Sequence, residues 1–133
     1  MFRLAGNNIS FVSMFKYLGN LIENKLLDDT DVHREIKCLF TLLKIIMIRR
    51  FSRCSFSVKL RLFRCYCTCF YDISLWKNVK TLALRKLKFA NVKCVKMFCG
   101  YKKYDSVTDM LFTTGLSSFD TVLHNACQRD CSR

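Results

Sequence analysis

Apolar residues first alternate with polar ones and then recur every three or four positions along this chain. "ISFVSM" alternates, and "FKYLGNLI" follows it with β-branched and aromatic residues around a Leu-Gly pair. With "NNIS" as a turn signal, residues 1–27 read as strands paired in a β-hairpin. From "LLDDTDVHREIKCLFTLLKIIMIRRF" onward the period lengthens. Val32, Ile36, Leu39, Phe40, Leu43, Ile46 and Met47 fall at helical spacing. Asp28, Asp29, Thr30 and Asp31 form an acidic, cap-competent start, and Arg49, Arg50 and Arg53 put positive charge at the helix C-terminus, where the dipole favours it.

"CSFSVKLRLFRCYCTCFYDISLW" restarts the helical pattern, with Ser55 or Ser57 as cap. A stripe of Val58, Leu62, Cys65, Cys69 and Ile73 is the expected packing face, and Trp76 is expected to close against the preceding helix. In residues 77–104, Leu82, Leu87, Val92, Val95 and Phe98 support a further helix, with Gly100 as C-cap. Two short helices should follow. Ser106 caps one, which stops at Gly115, and Ser117 or Ser118 caps the other. The reading is mostly α with an N-terminal β-hairpin, arranged as a helical bundle. Its parts are the hairpin at 1–27, helices at 28–76, and a basic helix with short C-terminal helices at 77–133.

Composition supports a packed chain. It is 51% hydrophobic over 133 residues, with no Pro and 4 Gly, so disorder is not expected and long helices are. Charge is the distinctive property. With 23 Lys+Arg against 10 Asp+Glu the net is +13, which points to a polyanionic partner, nucleic acid above all. Residues 77–104 hold Lys77, Lys80, Arg85, Lys86, Lys88, Lys93, Lys96, Lys102 and Lys103 and no acid. The tail from 105 to 133 has four Asp against two Arg, so the basic character ends there.

No secretory signal is visible, and the longest apolar run, 38–48, is too short to span a bilayer. An intracellular chain, cytoplasmic or nuclear, with reduced thiols and no membrane partner is expected. A catalytic site is hard to assemble. His33 and His124 are isolated, and there is no Gly-rich phosphate loop or H-E-x-x-H motif. "DDTD" reads as a helix start rather than a metal site. Cys65, Cys67 and Cys69, with Cys94, Cys99, Cys127 and Cys131, raise a zinc alternative. Their spacing lacks the C-x2-C pairs of structural zinc sites and fits buried thiols better. A basic membrane-surface helix is a weaker alternative, because its apolar positions are needed for packing.

The order of these features resembles the C-terminal part of a non-LTR (LINE-type) retrotransposon reverse transcriptase. "FKYLG", Phe15 to Gly19, matches the primer-grip hairpin that closes the palm in that family. Ser55, Val58, Lys59, Leu62, Phe63, Tyr66, Cys67, Leu75 and Trp76 match a thumb helix ending near Leu-Trp. Lys86, Leu87, Phe89, Ala90 and, one position short, Asn91 match a following segment. Ser106 to Phe112 matches a Ser-x-x-x-M-F pattern with a one-residue shift. The resemblance runs from about residue 8 to 126. It implies a thumb-like bundle gripping an RNA template or RNA–DNA duplex by its backbone. Lys16 and Tyr17 would lie near the primer terminus, and Lys77, Lys80, Arg85, Lys86, Lys88, Lys93, Lys96, Arg49, Arg50 and Arg53 would supply phosphate contacts.

The family's catalytic aspartates lie upstream of the primer grip, whereas Asp28 and Asp29 lie downstream of "FKYLG". On this resemblance the chain is a fragment that does not polymerise alone and holds no cofactor. The magnesium ions would belong to a missing palm, itself a possible partner along with the fingers. A free-standing basic helical RNA- or DNA-binding module is the alternative.

Overall fold

The computed structural model describes residues 2–49, 51–68 and 76–131. Its elements, in chain order, are two hairpins and five helices. Strands β1 (Phe2–Leu4) and β2 (Asn7–Ile9) form the first hairpin, and β3 (Met14–Tyr17) and β4 (Asn20–Glu23) the second. The helices are α1 (Asp29–Lys44), α2 (Phe56–Cys67), α3 (Thr81–Cys99), α4 (Val107–Thr114) and α5 (Phe119–Cys131). A wider π-helical turn, Ile45–Arg49, extends α1. The architecture is mostly helical, as expected, but the N-terminal segment makes two hairpins where one was expected.

Each hairpin closes through a two-residue loop with positive φ at both positions: Ala5 (+48°) with Gly6 (+84°), and Leu18 (+48°) with Gly19 (+95°). This is the turn whose twist matches paired strands, and Gly at its second position meets the requirement without a Cβ. The register pairs Tyr17 with Asn20, Lys16 with Leu21 and Phe15 with Ile22. Alternation then separates two faces. Leu21 and Glu23 are half-buried, whereas Phe15, Tyr17 and Ile22 are exposed, with the Phe15 and Tyr17 rings stacked 6.5 Å apart. The first hairpin is exposed throughout, so it adds nothing to the core.

The helices bury two neighbouring clusters. The larger joins Leu39, Leu43 and Ile46 to Phe63 and Cys67, to Cys94, Val95 and Phe98, and to Met110 and Leu116. Phe63 and Phe98 meet with ring centroids 4.7 Å apart. The smaller cluster comprises Val32, Ala83, Leu87 and Phe119, with Ile36 and Trp76 packed against it. Because the N-terminal halves of α1 and α3 meet in one cluster and their C-terminal halves in the other, the two helices run side by side in the same direction.

Two local expectations are corrected by this packing. The buried positions of α2 are Phe63 and Cys67, with Leu60 and Leu62 half-buried, whereas Val58 and Cys65 are exposed. The stripe through Val58 and Cys65 has the wrong phase, and its Cys69 and Ile73 lie outside the described residues. Leu82 is exposed, and α3 instead buries Ala83, Leu87, Ala90, Asn91, Cys94, Val95 and Phe98. Small residues at 83, 90 and 94 let α1 approach α3 closely, and that decides which face turns inward. Trp76 does close against the preceding helix, packing beside Val32 at the start of α1, and its indole N–H is taken by Asp31.

The tail follows its capping residues. Ser106 Oγ accepts the Asp109 N–H at 3.3 Å, and Ser118 Oγ accepts that of Thr121 at 3.2 Å. Gly100 and Gly115 end α3 and α4 in the left-handed conformation. At Gly115 (φ +61°) the demand is double. Arg64 crosses from α2 and donates from one terminal nitrogen to the Thr114 and Gly115 carbonyls, 3.0 Å each, and a Cβ at 115 would lie 3.2 Å from that nitrogen. Gly115→Ala is therefore expected to lower stability by about 1–2 kcal/mol in urea unfolding, from left-handed strain plus displacement of Arg64. Gly6→Ala, with open space around it on the uncoupled first hairpin, should leave the global midpoint unchanged. Equal midpoints for the Gly115 variant and the parent would refute this account.

Candidate nucleic-acid interface

The acidic start of α1 organises the N-terminal end of the bundle. Asp28 is the N-cap residue by position, but its side chain makes no cap hydrogen bond. Instead the three aspartates accept from other parts of the chain. Asp28 takes the Asn78 N–H at 2.9 Å, and Asp29 takes the Lys80 N–H at 2.9 Å. Asp31 takes the Leu21 N–H at 2.9 Å, Arg34 Nε at 2.6 Å and Trp76 Nε1 at 2.9 Å. Thus "DDTD" ties the second hairpin and the approach to α3 onto α1. Asp31 is 2% exposed. Burial alone would push its pKa up, but Arg34, the Leu21 amide and Trp76 favour the charged form and hold the carboxyl below its ordinary value.

The basic residues singled out above fall in three places. Lys16 and Tyr17 are exposed on β3. Arg49 and Arg53 are exposed at the far end of α1 from the aspartates, about 25–30 Å away by helical rise, and Arg50 lies outside the described residues. The remainder lie on α3 or just before it. They are not equivalent. Lys80 pairs with Asp29 at 3.5 Å and Lys88 with Asp120 at 2.6 Å. Lys96 donates to the carbonyls of Lys103 (2.8 Å) and Asp105 (2.7 Å), so its ammonium group closes the turn after α3. Lys77 is exposed ahead of the helix.

Arg85, Lys86 and Lys93 remain exposed, with no acidic partner among the described residues. Their positions turn them to one side of α3 at 100° per residue. Lys93 Nζ also stands 5.9 Å from the centre of the Phe40 ring on α1. On the same side lie Leu82 and Phe89, 67% and 73% exposed, with Met97 at the helix's end. The exposed apolar members of this face escaped sequence reading because Leu82 was assigned to the core. The signal was the second series at three- and four-residue spacing, Leu82, Lys86, Phe89, Lys93, Met97, which runs about 100° around the helix from Ala83, Leu87, Ala90 and Cys94.

An open groove of about 540 Å³ lies between β4 and α1, lined by Leu21, His33, Arg34, Lys37, Cys38 and Leu42 among others. None of the basic residues expected to contact phosphates lines it. Among the described residues no three His, Cys, Asp or Glu side chains converge to hold a metal ion. Cys67 and Cys94 are buried in the larger cluster. Burial pushes the Cys94 thiol up to about 12, against a smaller opposing effect from Lys93, so it behaves as a small apolar side chain. No described helix is long and apolar enough to cross a membrane.

The fold and this surface define a basic α-helical chain with two N-terminal hairpins. No protein-family model, curated protein or solved structure matches it significantly.

Proposed function

We propose that this chain binds nucleic acid through α3, as the primer-grip and thumb portion of a non-LTR retrotransposon reverse transcriptase would, without a polymerase centre of its own. The observation that carries the reading is the exposed cationic face of Arg85, Lys86 and Lys93, which has no acidic partner among the described residues and lies inside a segment with nine basic residues and no acid. Such a face recognises phosphates by charge and does not read base sequence. Support for the family also comes from the order of "FKYLG", a Ser-x-x-Val-Lys-x-x-Leu-Phe segment and a basic helix. "FKYLG" occupies the β3 strand and its turn, and Ser55 precedes α2. A free-standing binding module is the second reading, favoured by the two buried clusters that the helices form among themselves.

The test is fluorescence anisotropy with a labelled RNA–DNA duplex across a salt series. The logarithm of affinity should fall linearly with the logarithm of salt, with a slope near −3 for about three phosphate contacts. Binding that is insensitive to salt would exclude this mode.

A further inference from the structure

Phe89 is the least expected residue on the surface of α3. It is a large apolar ring, 73% exposed, on a helix that buries Ala90 and Asn91 immediately after it. Its neighbours on the same side are Lys86, three residues before it, and Lys93, four residues after it, with Arg85 adjoining. The two lysines are about 10 Å apart along the helix axis, so the ring sits between two cationic centres. Leu82 and Met97 extend the apolar positions toward the two ends of the face.

A purely phosphate-gripping face has no use for a ring in its middle, since exposing it to water is unfavourable and duplex phosphates make no contact with it. A membrane surface is a poor fit as well. The broad apolar side of α3, from Ala83 through Leu87, Cys94 and Phe98, is already covered by α1, α2 and α5, and the exposed apolar residues are separated by cations. An aromatic ring flanked by cations is instead what a single strand requires, with a phosphate on each side and an unstacked base against the ring.

From this face we infer that the occupant is a single-stranded nucleic acid, with one base stacked on Phe89 and flanking phosphates on Lys86 and Lys93. This rests on the nucleic-acid reading above and narrows it from duplex to single strand. Charge complementarity commits the face to a polyanion, and the ring selects one whose bases are open.

The experiment compares a labelled mixed-sequence 12-nucleotide RNA, single-stranded or annealed to its complement, on the parent chain and on Phe89→Leu, Phe89→Tyr and Lys86→Ala. Leu keeps an apolar side chain and removes the π-face, and at so exposed a position the melting temperature should not change. Single-strand affinity should fall about 5- to 100-fold in Phe89→Leu and recover in Phe89→Tyr, with duplex affinity unaffected. No loss in Phe89→Leu, or an equal loss on both RNAs, overturns the stacking proposal. If Lys86→Ala still weakens binding in that case, phosphate recognition by α3 stands without it. If the parent chain binds neither RNA, the broader reading falls too. Stronger binding to anionic phospholipid vesicles than to either RNA, lost in Phe89→Leu, would also overturn the proposal and assign the face to a lipid surface.

Discussion

Replacing Asp31 with Ala is expected to destabilise the chain more than any other single change at its polar positions, by about 3–5 kcal/mol, or roughly 10–20 °C in melting temperature. The carboxylate is buried and holds three donors from three segments: the Leu21 amide of β4, Arg34 of α1 and the indole of Trp76. Truncation leaves the amide and indole N–H groups without an acceptor, and a lost bond to a charged group costs about 1.5–3 kcal/mol. The second hairpin would also lose its attachment to α1. The acid dependence has a definite sign. Because the folded carboxyl is held below its ordinary value, its contribution is complete above about pH 4, the unfolded value, and is lost as pH falls through the lowered folded value. Urea unfolding of parent and Asp31→Ala at pH 7 and pH 3 reads both effects. The gap between them should be wide at pH 7 and narrower at pH 3. A gap that is the same at both would show that the charge contributes nothing.

The second large effect concerns binding. The triple variant Arg85→Ala, Lys86→Ala, Lys93→Ala removes three α3 cations that have neither an acidic partner nor a carbonyl acceptor among the described residues. Single-strand affinity near physiological salt should fall about 10²- to 10³-fold, at roughly 1–1.4 kcal/mol per contact. The salt slope should shrink by about 2, since each phosphate on a single strand contributes about 0.7. Losing the Lys93–Phe40 contact should cost no more than about 1 kcal/mol of stability. The informative control is Lys80→Ala with Lys88→Ala. Those two charges are paired with Asp29 and Asp120, so the double variant should lower affinity less than tenfold. A control as damaging as the triple variant would mean that net charge, and not the α3 face, governs binding. Lys96→Ala should behave differently again, loosening the turn at Lys103 and Asp105 that its ammonium group closes.

These two predictions differ in how far they could be read from the sequence. The basic segment and its lack of acids are visible in the chain, and so is the helix that carries it. Which of its cations are free is not visible, because Asp29 and Asp120 come from elements 51 and 32 residues away. The aspartate cluster shows the same divide. "DDTD" before an apolar period marks a helix start, and α1 does begin there. Its carboxylates nevertheless face other segments, because donors on β4 and around Trp76 come within reach only when the chain has folded.

Local chemistry determined the elements. Helical spacing placed α1, Ser106 and Ser118 placed the starts of α4 and α5, Gly100 and Gly115 ended α3 and α4, and Leu18-Gly19 turned the second hairpin. Each depends on groups within about five residues, so each is written in a short stretch of sequence. Tertiary structure decided the faces. Leu82 and Leu87 are the same residue type five positions apart on α3, and one is exposed while the other is fully buried. Only the close approach of α1 along the small residues of α3 distinguishes them, and that same approach leaves Phe89 and its flanking lysines facing solvent.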